Sequence, residues 1–227
     1  MIISVHMPKT GGETFRDALE AAFGSRMLRD YGDRVGFISD EILRLRRRRA
    51  RAMRADRDEI ERRYDLIHGH FVADKYRGLF RPEQYVAFFR HPMQQAISHY
   101  KYLQRIPLRK DPTIRAAQDR EMTFLDFLRH DTVTNPQSEL VGSVPLEHFA
   151  MVGLSEEYDR GVALFNATFG CTIEVGERVN VDPETAGGKH ELSPEERRAV
   201  RTHRQADLEL YHRAKRMFYR LCEARGL

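Results

Sequence analysis

A turn near the start of the chain carries residue types that bind anions. Residues 6–15 read His-Met-Pro-Lys-Thr-Gly-Gly-Glu-Thr-Phe, and we expect a buried strand over residues 2–6 and a helix over residues 13–23 to flank the turn. This arrangement aims backbone N–H groups and the helix dipole at one spot, which binds phosphate or sulfate. Lys9 adds a positive charge. The other polar and glycine members of the turn are Thr10, Gly11, Gly12, Glu13 and Thr14.

The turn lacks the spacing of a Walker A loop, GxxxxGK[ST], because Lys9 precedes the two glycines. An ordinary nucleotide kinase is therefore disfavoured. A tight strand-to-helix turn with a capping threonine and no ligand is the plain structural alternative.

A second candidate anion site follows the apolar run at residues 85–89, which is typical of a parallel strand covered on both faces. Arg90 closes the run, Pro92 indicates the start of a helix over residues 93–105, and Ser98 lies eight residues after Arg90. A guanidinium and a hydroxyl at this spacing can converge on one phosphate at the carboxyl edge of the sheet. A structural salt bridge is the alternative role for Arg90.

Two histidines lie in another predicted strand, at residues 65–71. The two-residue period of a strand points His68 and His70 to the same side. A positioned histidine can remove a proton from a hydroxyl near neutral pH, so both are candidate catalytic residues. A hydrogen-bonded structural imidazole is the alternative for each.

Strands that alternate with helices predict an α/β fold, with a P-loop-like central parallel sheet flanked by helices. We expect one domain over residues 1–227, with a basic helical insertion at about 40–64. A fourth strand is predicted at 149–153, and residues 172–181 are ambiguous between strand and loop. Further helices are predicted at 123–130, 134–141 and 155–169, the last of these ending at Gly170. A final helix begins at a capping signal, Ser193-Pro194-Glu195-Glu196.

Composition limits the class of protein. The 227 residues are 41% hydrophobic and 32% charged, with a net charge of +4, which is typical of a soluble protein with one sizeable core. No apolar stretch approaches the length of a membrane span, and the first residues lack a cleavage site of the signal-peptide kind. Cys171 and Cys222 form no metal-type pair, so we expect two buried, reduced thiols and a cytoplasmic location.

An arginine-rich segment lies inside the predicted insertion. Its members are Arg44, Arg46, Arg47, Arg48, Arg49, Arg51 and Arg54. A solvated helix with intrahelical ion pairs is one interpretation, because acidic residues follow at positions 56, 58, 59 and 61. A docking surface for an acidic acceptor, such as an anionic polysaccharide, is the other. The acidic neighbours and the lack of interleaved aromatic residues argue against nucleic acid as a partner.

Residues 8–15 resemble the 5′-phosphosulfate-binding loop of the sulfotransferases that use 3′-phosphoadenosine-5′-phosphosulfate (PAPS). The match is closest to the carbohydrate branch, which includes the heparan sulfate 2-O- and 6-O-sulfotransferases. Residues 88–92 and 98–100 resemble the 3′-phosphate-binding segment of the same family. The resemblance implies that Lys9 contacts the phosphosulfate and assists the departing phosphate, and that Arg90 and Ser98 hold the 3′-phosphate. The remaining loop contacts it implies are Thr10, Gly11, Gly12, Glu13, Thr14 and Phe15.

The same resemblance suggests a catalytic base. In the 2-O-sulfotransferase branch, a His-Gly-His at the matching place supplies the proposed base on its second histidine, which is His70 here, with His68 in support. Related branches use a glutamate just after the phosphate loop, so Glu13 is the competing candidate. Residues 135–137 resemble the segment that faces the acceptor. Lys189 follows two glycines and either folds over the cofactor as a basic lid or belongs to a surface turn.

The resemblance thus predicts a sulfotransferase that moves a sulfuryl group from PAPS to an acceptor hydroxyl, expected on a carbohydrate, and releases adenosine 3′,5′-bisphosphate (PAP). No metal is expected, because nothing resembles the paired carboxylates that hold magnesium in phosphoryl transfer. Two rivals stay open: a nucleotide kinase or NTPase with an atypical phosphate loop, and an arginine-rich module that binds anions or RNA. The acceptor and the oligomeric state are not determined by the sequence.

Overall fold

The fold is built on a parallel sheet of five strands. A computed structural model describes residues 1–33, 40–80, 84–105, 122–129, 134–174 and 189–227. Its strands are β1 (Ile2–Val5), β2 (Met27–Arg29), β3 (Leu66–Gly69), β4 (Gln84–Phe89) and β5 (Phe149–Leu154). They lie in the order β2-β3-β1-β4-β5, and every neighbouring pair is parallel. The predicted α/β class with a central parallel sheet is confirmed.

Helices cover the sheet and surround its carboxyl edge. Those described are α1 (Gly12–Phe23), α2 (Asp40–Ala55), α3 (Arg57–Arg63), α4 (Pro92–Arg105), α5 (Phe124–Arg129), α6 (Pro136–Val141), α7 (Tyr158–Phe169), α8 (Pro194–His203) and α9 (Gln205–Glu223). Within the described part of the chain, no helix is both long and apolar enough to cross a bilayer.

The core explains why the central strands have apolar runs. β1 is buried along its whole length and β4 at all but its first residue, since helices pack on both faces of the sheet. A second, smaller apolar cluster joins α4, α5 and α8. This cluster fixes α4, the helix that follows Arg90, against the carboxyl-terminal helices.

Three predicted element boundaries agree with the structure. Ser193 caps α8 by accepting from the N–H of Glu196, while the Glu196 carboxylate accepts from the N–H of Ser193, at 3.2 and 2.7 Å. Pro92 is the first residue of α4. Gly170 ends α7 in the left-handed conformation. Each position follows from local backbone chemistry, which a sequence carries directly.

Other boundaries differ from the prediction. The helix expected over residues 40–64 is two helices that break at Asp56, and the final helix breaks at Arg204, because both residues leave the helical backbone conformation. β2 was not predicted, since its three residues sit at the sheet's edge and only the first of them is buried. Both cysteines are free, as expected, but only Cys222 is buried, and Cys171 is half-buried.

Candidate active site

The loop between β1 and α1 has an unusual backbone. Lys9 has φ +61° and Gly11 has φ +84°, so two residues in quick succession adopt the left-handed region. Gly11 is the N-cap of α1 and provides no side-chain cap. The hydroxyl of Thr10, which is buried, donates to the carbonyl of Met7 at 3.0 Å. A non-glycine residue in this conformation costs on the order of 1–3 kcal/mol and is typical of functional sites.

Gly12 begins α1 against a histidine ring. A Cβ at this position would lie 2.0 Å from the imidazole of His6, so a larger residue would displace either the ring or the helix. The second glycine of the motif is therefore needed for close packing.

The two predicted anion anchors meet at this loop. Arg90 donates from Nη1 to the carbonyl oxygen of Lys9 at 3.2 Å, and the Lys9 ammonium lies 4.0 Å from the centroid of the Tyr102 ring. Gln137 holds the backbone of Arg90 from both sides, accepting from its N–H and donating to its carbonyl, each at 2.9 Å. Ser98 is buried in α4. The structure thus places the Arg90 guanidinium against the backbone of Lys9, beside the N-terminus of α1.

The other predicted binding residues at the start of α1 differ in burial. Thr14 is buried and Glu13 half-buried in the first turn of α1. Phe15 packs in the core against Phe88 and Phe165, and its N–H donates to the carbonyl of Gly11. Neither its ring nor its N–H is therefore placed to contact a ligand, in contrast to the expectation for Phe15.

Lys189 is exposed at the start of the carboxyl-terminal segment. Burial first, and the charge of Lys189 among lesser causes, lowers the pKa of His91, which follows Arg90 directly. The glycines of the expected lid, at positions 187 and 188, lie outside the described residues.

Three histidines stack at the carboxyl edge of the sheet. The His6 ring centroid lies 4.2 Å from that of His70 and 5.1 Å from that of His68. Gly69 separates the two predicted histidines because a Cβ there would lie 1.8 Å from the backbone oxygen of Asp30. The His-Gly-His pattern therefore reflects how closely the chain leaving β2 passes β3.

His70 has the geometry of a proton acceptor. Its Nδ1 lies 2.6 Å from the carbonyl oxygen of His6, and since a carbonyl only accepts, Nδ1 carries the proton. Nε2 therefore keeps its lone pair. Burial lowers the pKa of His70, against a smaller opposing effect of this hydrogen bond. The imidazole is neutral at pH 7 and able to take a proton.

His68 is a buried imidazole that is hydrogen-bonded within the core. It is 1% exposed, its Nδ1 lies 2.9 Å from the hydroxyl of Ser4, and burial lowers its pKa to about 3. Nε2 has no hydrogen-bond partner among the residues described here. His68 therefore supports the site by packing beneath His6.

Three residues near the site were missed by the sequence analysis as functional candidates: His6, Tyr31 and Tyr102. Tyr31 bonds through its hydroxyl to Nδ1 of His6 at 2.9 Å and lies edge-on to His70; burial raises its pKa to about 12. No signal pointed to Tyr31, because β2 was itself missed. Tyr102 follows Ser98 by four residues, one helical turn, so the predicted helix could have indicated it.

Within residues 135–137, which the resemblance assigns to the acceptor side, Gln137 supports the backbone of Arg90. Gln137 is fully buried, and both ends of its side-chain amide bind the Arg90 backbone. Ser155, at the start of the segment after β5, donates to the carbonyls of Thr10 and Phe89 at 2.7 and 3.1 Å. These contacts tie the loop between β1 and α1 to the ends of β4 and β5.

The arginine-rich helix α2 has two distinct faces. Arg46 binds Glu139 at 2.8 Å and Arg49 lies 3.7 Å from Asp33, so these two hold the helix against the body. The opposite face carries exposed arginines at positions 44, 47, 48 and 51, which helical spacing places together. Arginine–glutamate pairs four residues apart occur in α3, at 57–61 and 59–63. The solvated ion-pair interpretation therefore fits α3 better than α2.

Among the residues described, no group of three or more histidine, cysteine, aspartate or glutamate side chains is arranged to hold a metal ion.

Three comparisons with known proteins gave matches among solved structures alone. No protein-family model matches it, and no curated protein matches it. Among solved structures, a sulfotransferase from Alicyclobacillus acidocaldarius is 15% identical with a TM-score of 0.48, over 96% of this chain and 95% of that one. Mouse sulfotransferase SULT7A1 in complex with PAP is 12% identical with a TM-score of 0.49, over 88% and 82%. Both TM-scores are below 0.5, so neither similarity carries an argument about activity.

Proposed function

We propose that this protein transfers a sulfuryl group from PAPS to an acceptor hydroxyl. The observation that carries the proposal is the meeting of Lys9 and Arg90 at a strained loop, at the N-terminus of α1. A base-competent histidine, His70, stacks on His6 at the same edge of the sheet. Two cationic anchors and one neutral base are the groups that a nucleotide donor with two phosphates and a hydroxyl acceptor require.

In this proposal the donor lies across the carboxyl edge of the sheet. Lys9 and the backbone N–H groups of residues 10–14 bind the phosphosulfate, and Arg90 with Ser98 holds the 3′-phosphate. Arginine suits this task because its planar fork can bind a phosphate through two hydrogen bonds. Lys189, which is exposed, is assigned a supporting contact with the nucleotide in this proposal.

The proposed reaction conserves atoms and electrons. The acceptor oxygen forms a bond to sulfur while its proton passes to Nε2 of His70. The bond between sulfur and the bridging oxygen of the 5′-phosphate breaks, and its electron pair stays on that phosphate, whose charge Lys9 neutralises. The products are a sulfated acceptor, PAP and one proton held on His70. Positioning and charge stabilisation do most of the catalytic work in transfers of this kind.

The direct test is sulfuryl transfer from PAPS labelled in its sulfur, with a panel of carbohydrate, phenolic and alcohol acceptors. The proposal expects labelled product together with an equal amount of PAP. Glu13→Gln separates the two candidate bases, since full activity in this variant leaves His70 in the role. Turnover of ATP with magnesium, and none of PAPS, would support the kinase rival instead.

We further propose that the acceptor is an anionic carbohydrate that docks on the exposed arginines of α2, at positions 44, 47, 48 and 51. The inward contacts of Arg46 and Arg49 support this, since they fix the helix with the other face outward. α2 also borders the site, because a Cβ at Gly32, next to Tyr31, would collide with the Arg49 guanidinium.

Replacing those four arginines by glutamine tests the docking surface. Binding to a sulfated polysaccharide should weaken and lose much of its salt dependence, while PAP affinity is unchanged. A matched control replaces Arg57 and Arg63 on α3, which are exposed but paired with glutamates. Unchanged polysaccharide binding by the variant would refute the docking surface. If the wild-type protein binds single-stranded RNA more strongly than the polysaccharide, the rival nucleic-acid module would be favoured.

A further inference from the structure

An arginine and an aspartate are fully buried where α8 meets α9. Arg204 and Asp207 each have 0% exposure, and their side chains lie 3.9 Å apart. Within the described part of the chain, Nε and Nη2 of Arg204 have no hydrogen-bond partner. Burying two charges costs several kcal/mol per ion before compensation, so this pair needs an explanation.

From Arg204, one chain of hydrogen bonds leads to the phosphate loop. Arg204 donates from Nη1 to Oε1 of Gln95 at 3.1 Å, and Gln95 donates from Nε2 to the carbonyl of Pro8 at 3.1 Å. Gln95 lies in α4 and is fully buried. The chain therefore ends at the peptide group that links Pro8 to Lys9.

From Asp207, a second chain leads to the other anchor. Its two carboxylate oxygens accept from the N–H groups of Gln137 and Ser138 at 3.2 and 2.7 Å, and its own N–H donates to Oδ1 of Asn135 at 3.0 Å. Gln137 in turn holds both sides of the Arg90 backbone.

Two residues with strained backbones lie next to these hydrogen-bond chains. Among the residues that the structure describes, Lys9 and Asn135 are the non-glycine residues with positive φ, at +61° and +49°. Such strain persists only when surrounding contacts over-determine the conformation. The Gln95 bond at Pro8 and the Asp207 bond at Asn135 are contacts of that kind.

We infer that Arg204 and Asp207 form a buried positioning pair, which sets Lys9 through Gln95 and Arg90 through Gln137 so that both anchors face one ligand. Neither member touches the proposed ligand. The identity of the ligand rests on the proposed function, whereas the control of the loop conformation does not.

The arginine of the buried pair is charged where the protein would work. Burial lowers the pKa of Arg204 only to about 10, so its guanidinium stays protonated near neutral pH. Burial raises the pKa of Asp207, and the two backbone N–H donors and Arg204 oppose this rise. A pair with no role beyond stability could be replaced by apolar residues of similar volume with little loss.

Gln95→Glu separates the loop from the pair. As a carboxylate, glutamate accepts from Arg204 in an ion pair but cannot donate to Pro8, so the contact with the loop is lost while the contact with Arg204 is kept. We expect PAP affinity to fall about tenfold, the equivalent of one hydrogen bond of about 1.4 kcal/mol, and the amides of residues 9–14 to exchange hydrogen several times faster. Gln94→Glu is the matched control, because the Gln94 side chain bonds to His190 and not to the loop. It should leave loop exchange at the wild-type rate.

Arg204→Met tests the pair itself. A purely structural role predicts unchanged loop exchange and unchanged PAP affinity in the folded variant. The positioning role predicts faster exchange in residues 9–14 and weaker PAP binding. If this variant fails to fold, Gln95→Glu still decides the question.

Wild-type exchange and affinity in Gln95→Glu would overturn the inference. Failure of the wild-type protein to bind PAP would overturn the proposed function, and loop exchange would still test the pair.

Discussion

Three imidazoles stack at the carboxyl edge of the sheet, and each has a different environment. His68 is sealed beneath the others, His6 packs against Gly12, and His70 is only half-buried. The carbonyl of His6 fixes the tautomer of His70 and leaves its Nε2 as the acceptor. The sequence indicated the pair at 68 and 70 through its spacing, but the role of each depends on burial, which is a property of the fold.

His70 should be the base. Replacing it with alanine should lower kcat by about 10²–10⁴-fold while PAP affinity stays near the wild-type value. The wild-type rate should fall in acid only as His70 becomes protonated, and because burial lowers its pKa, this fall should begin below pH 6.5. The measurement is a pH profile of kcat for wild type and His70→Ala. Retention of the acid limb in the variant would assign the base elsewhere, with Glu13 the next candidate.

The candidate site lies where the parallel strands end, and close packing between strands and helices fixes the distances between its side chains. The strands at 2–6, 65–71, 85–89 and 149–153 were predictable because buried parallel strands have continuous apolar runs. β2 could not be predicted, since a three-residue edge strand has no periodic pattern. The helix breaks at Asp56 and Arg204 could not be predicted either, and a buried arginine such as Arg204 looks like a surface residue in the sequence.

Gly69→Ala should disturb the contact between β2 and β3. The added methyl would collide with the backbone of Asp30, so we expect a loss of about 1–3 kcal/mol in the free energy of unfolding, together with weaker activity. Gly24→Ala is the control, because no atom lies within 4 Å of the added Cβ, although Gly24, unlike Gly69, has a positive φ. It should cost on the order of 1–3 kcal/mol of backbone strain and leave activity intact. Urea denaturation measures the stability of both variants and a transfer assay with PAPS measures their activity; wild-type activity in Gly69→Ala would argue against the collision.

Across the whole molecule, buried neutral histidines should make the fold sensitive to acid. The pKa of His68 is about 3 in the folded protein and near 6.5 in the unfolded chain, so the unfolded state binds more protons below pH 6.5. Stability from this residue is therefore complete above pH 6.5. It is lost as pH falls towards 3, at about 1.4 kcal/mol per pH unit.

His68→Gln should flatten this dependence. Unfolding free energies of wild type and variant, measured by urea denaturation between pH 7 and pH 4, should differ in slope by about one proton. His148→Gln, at an exposed position, is the control and should keep the wild-type slope. Equal slopes for all three proteins would show that His68 does not stay neutral in the folded state.

Much of the site was predictable as sequence motifs but not as an assembly. Lys9, Arg90 and His70 each follow a strand, so a parallel sheet had to bring them to one edge. The buried contacts that orient them, through Gln95, Gln137 and the Arg204–Asp207 pair, join residues that are 69 to 109 positions apart in most cases. No local pattern encodes such contacts, because they depend on packing between helices distant in sequence.

The proposed function requires that a nucleotide with two phosphates bind where Arg90 contacts the loop of Lys9. A thermal-shift titration with PAP, beside ATP and ADP with magnesium, tests it most directly. At about 100 times its dissociation constant, PAP should raise the melting temperature by roughly 5–10 °C, and Arg90→Ala should abolish this rise. Stabilisation by ATP with magnesium and not by PAP, or no stabilisation by any of the three, would exclude PAPS as the donor.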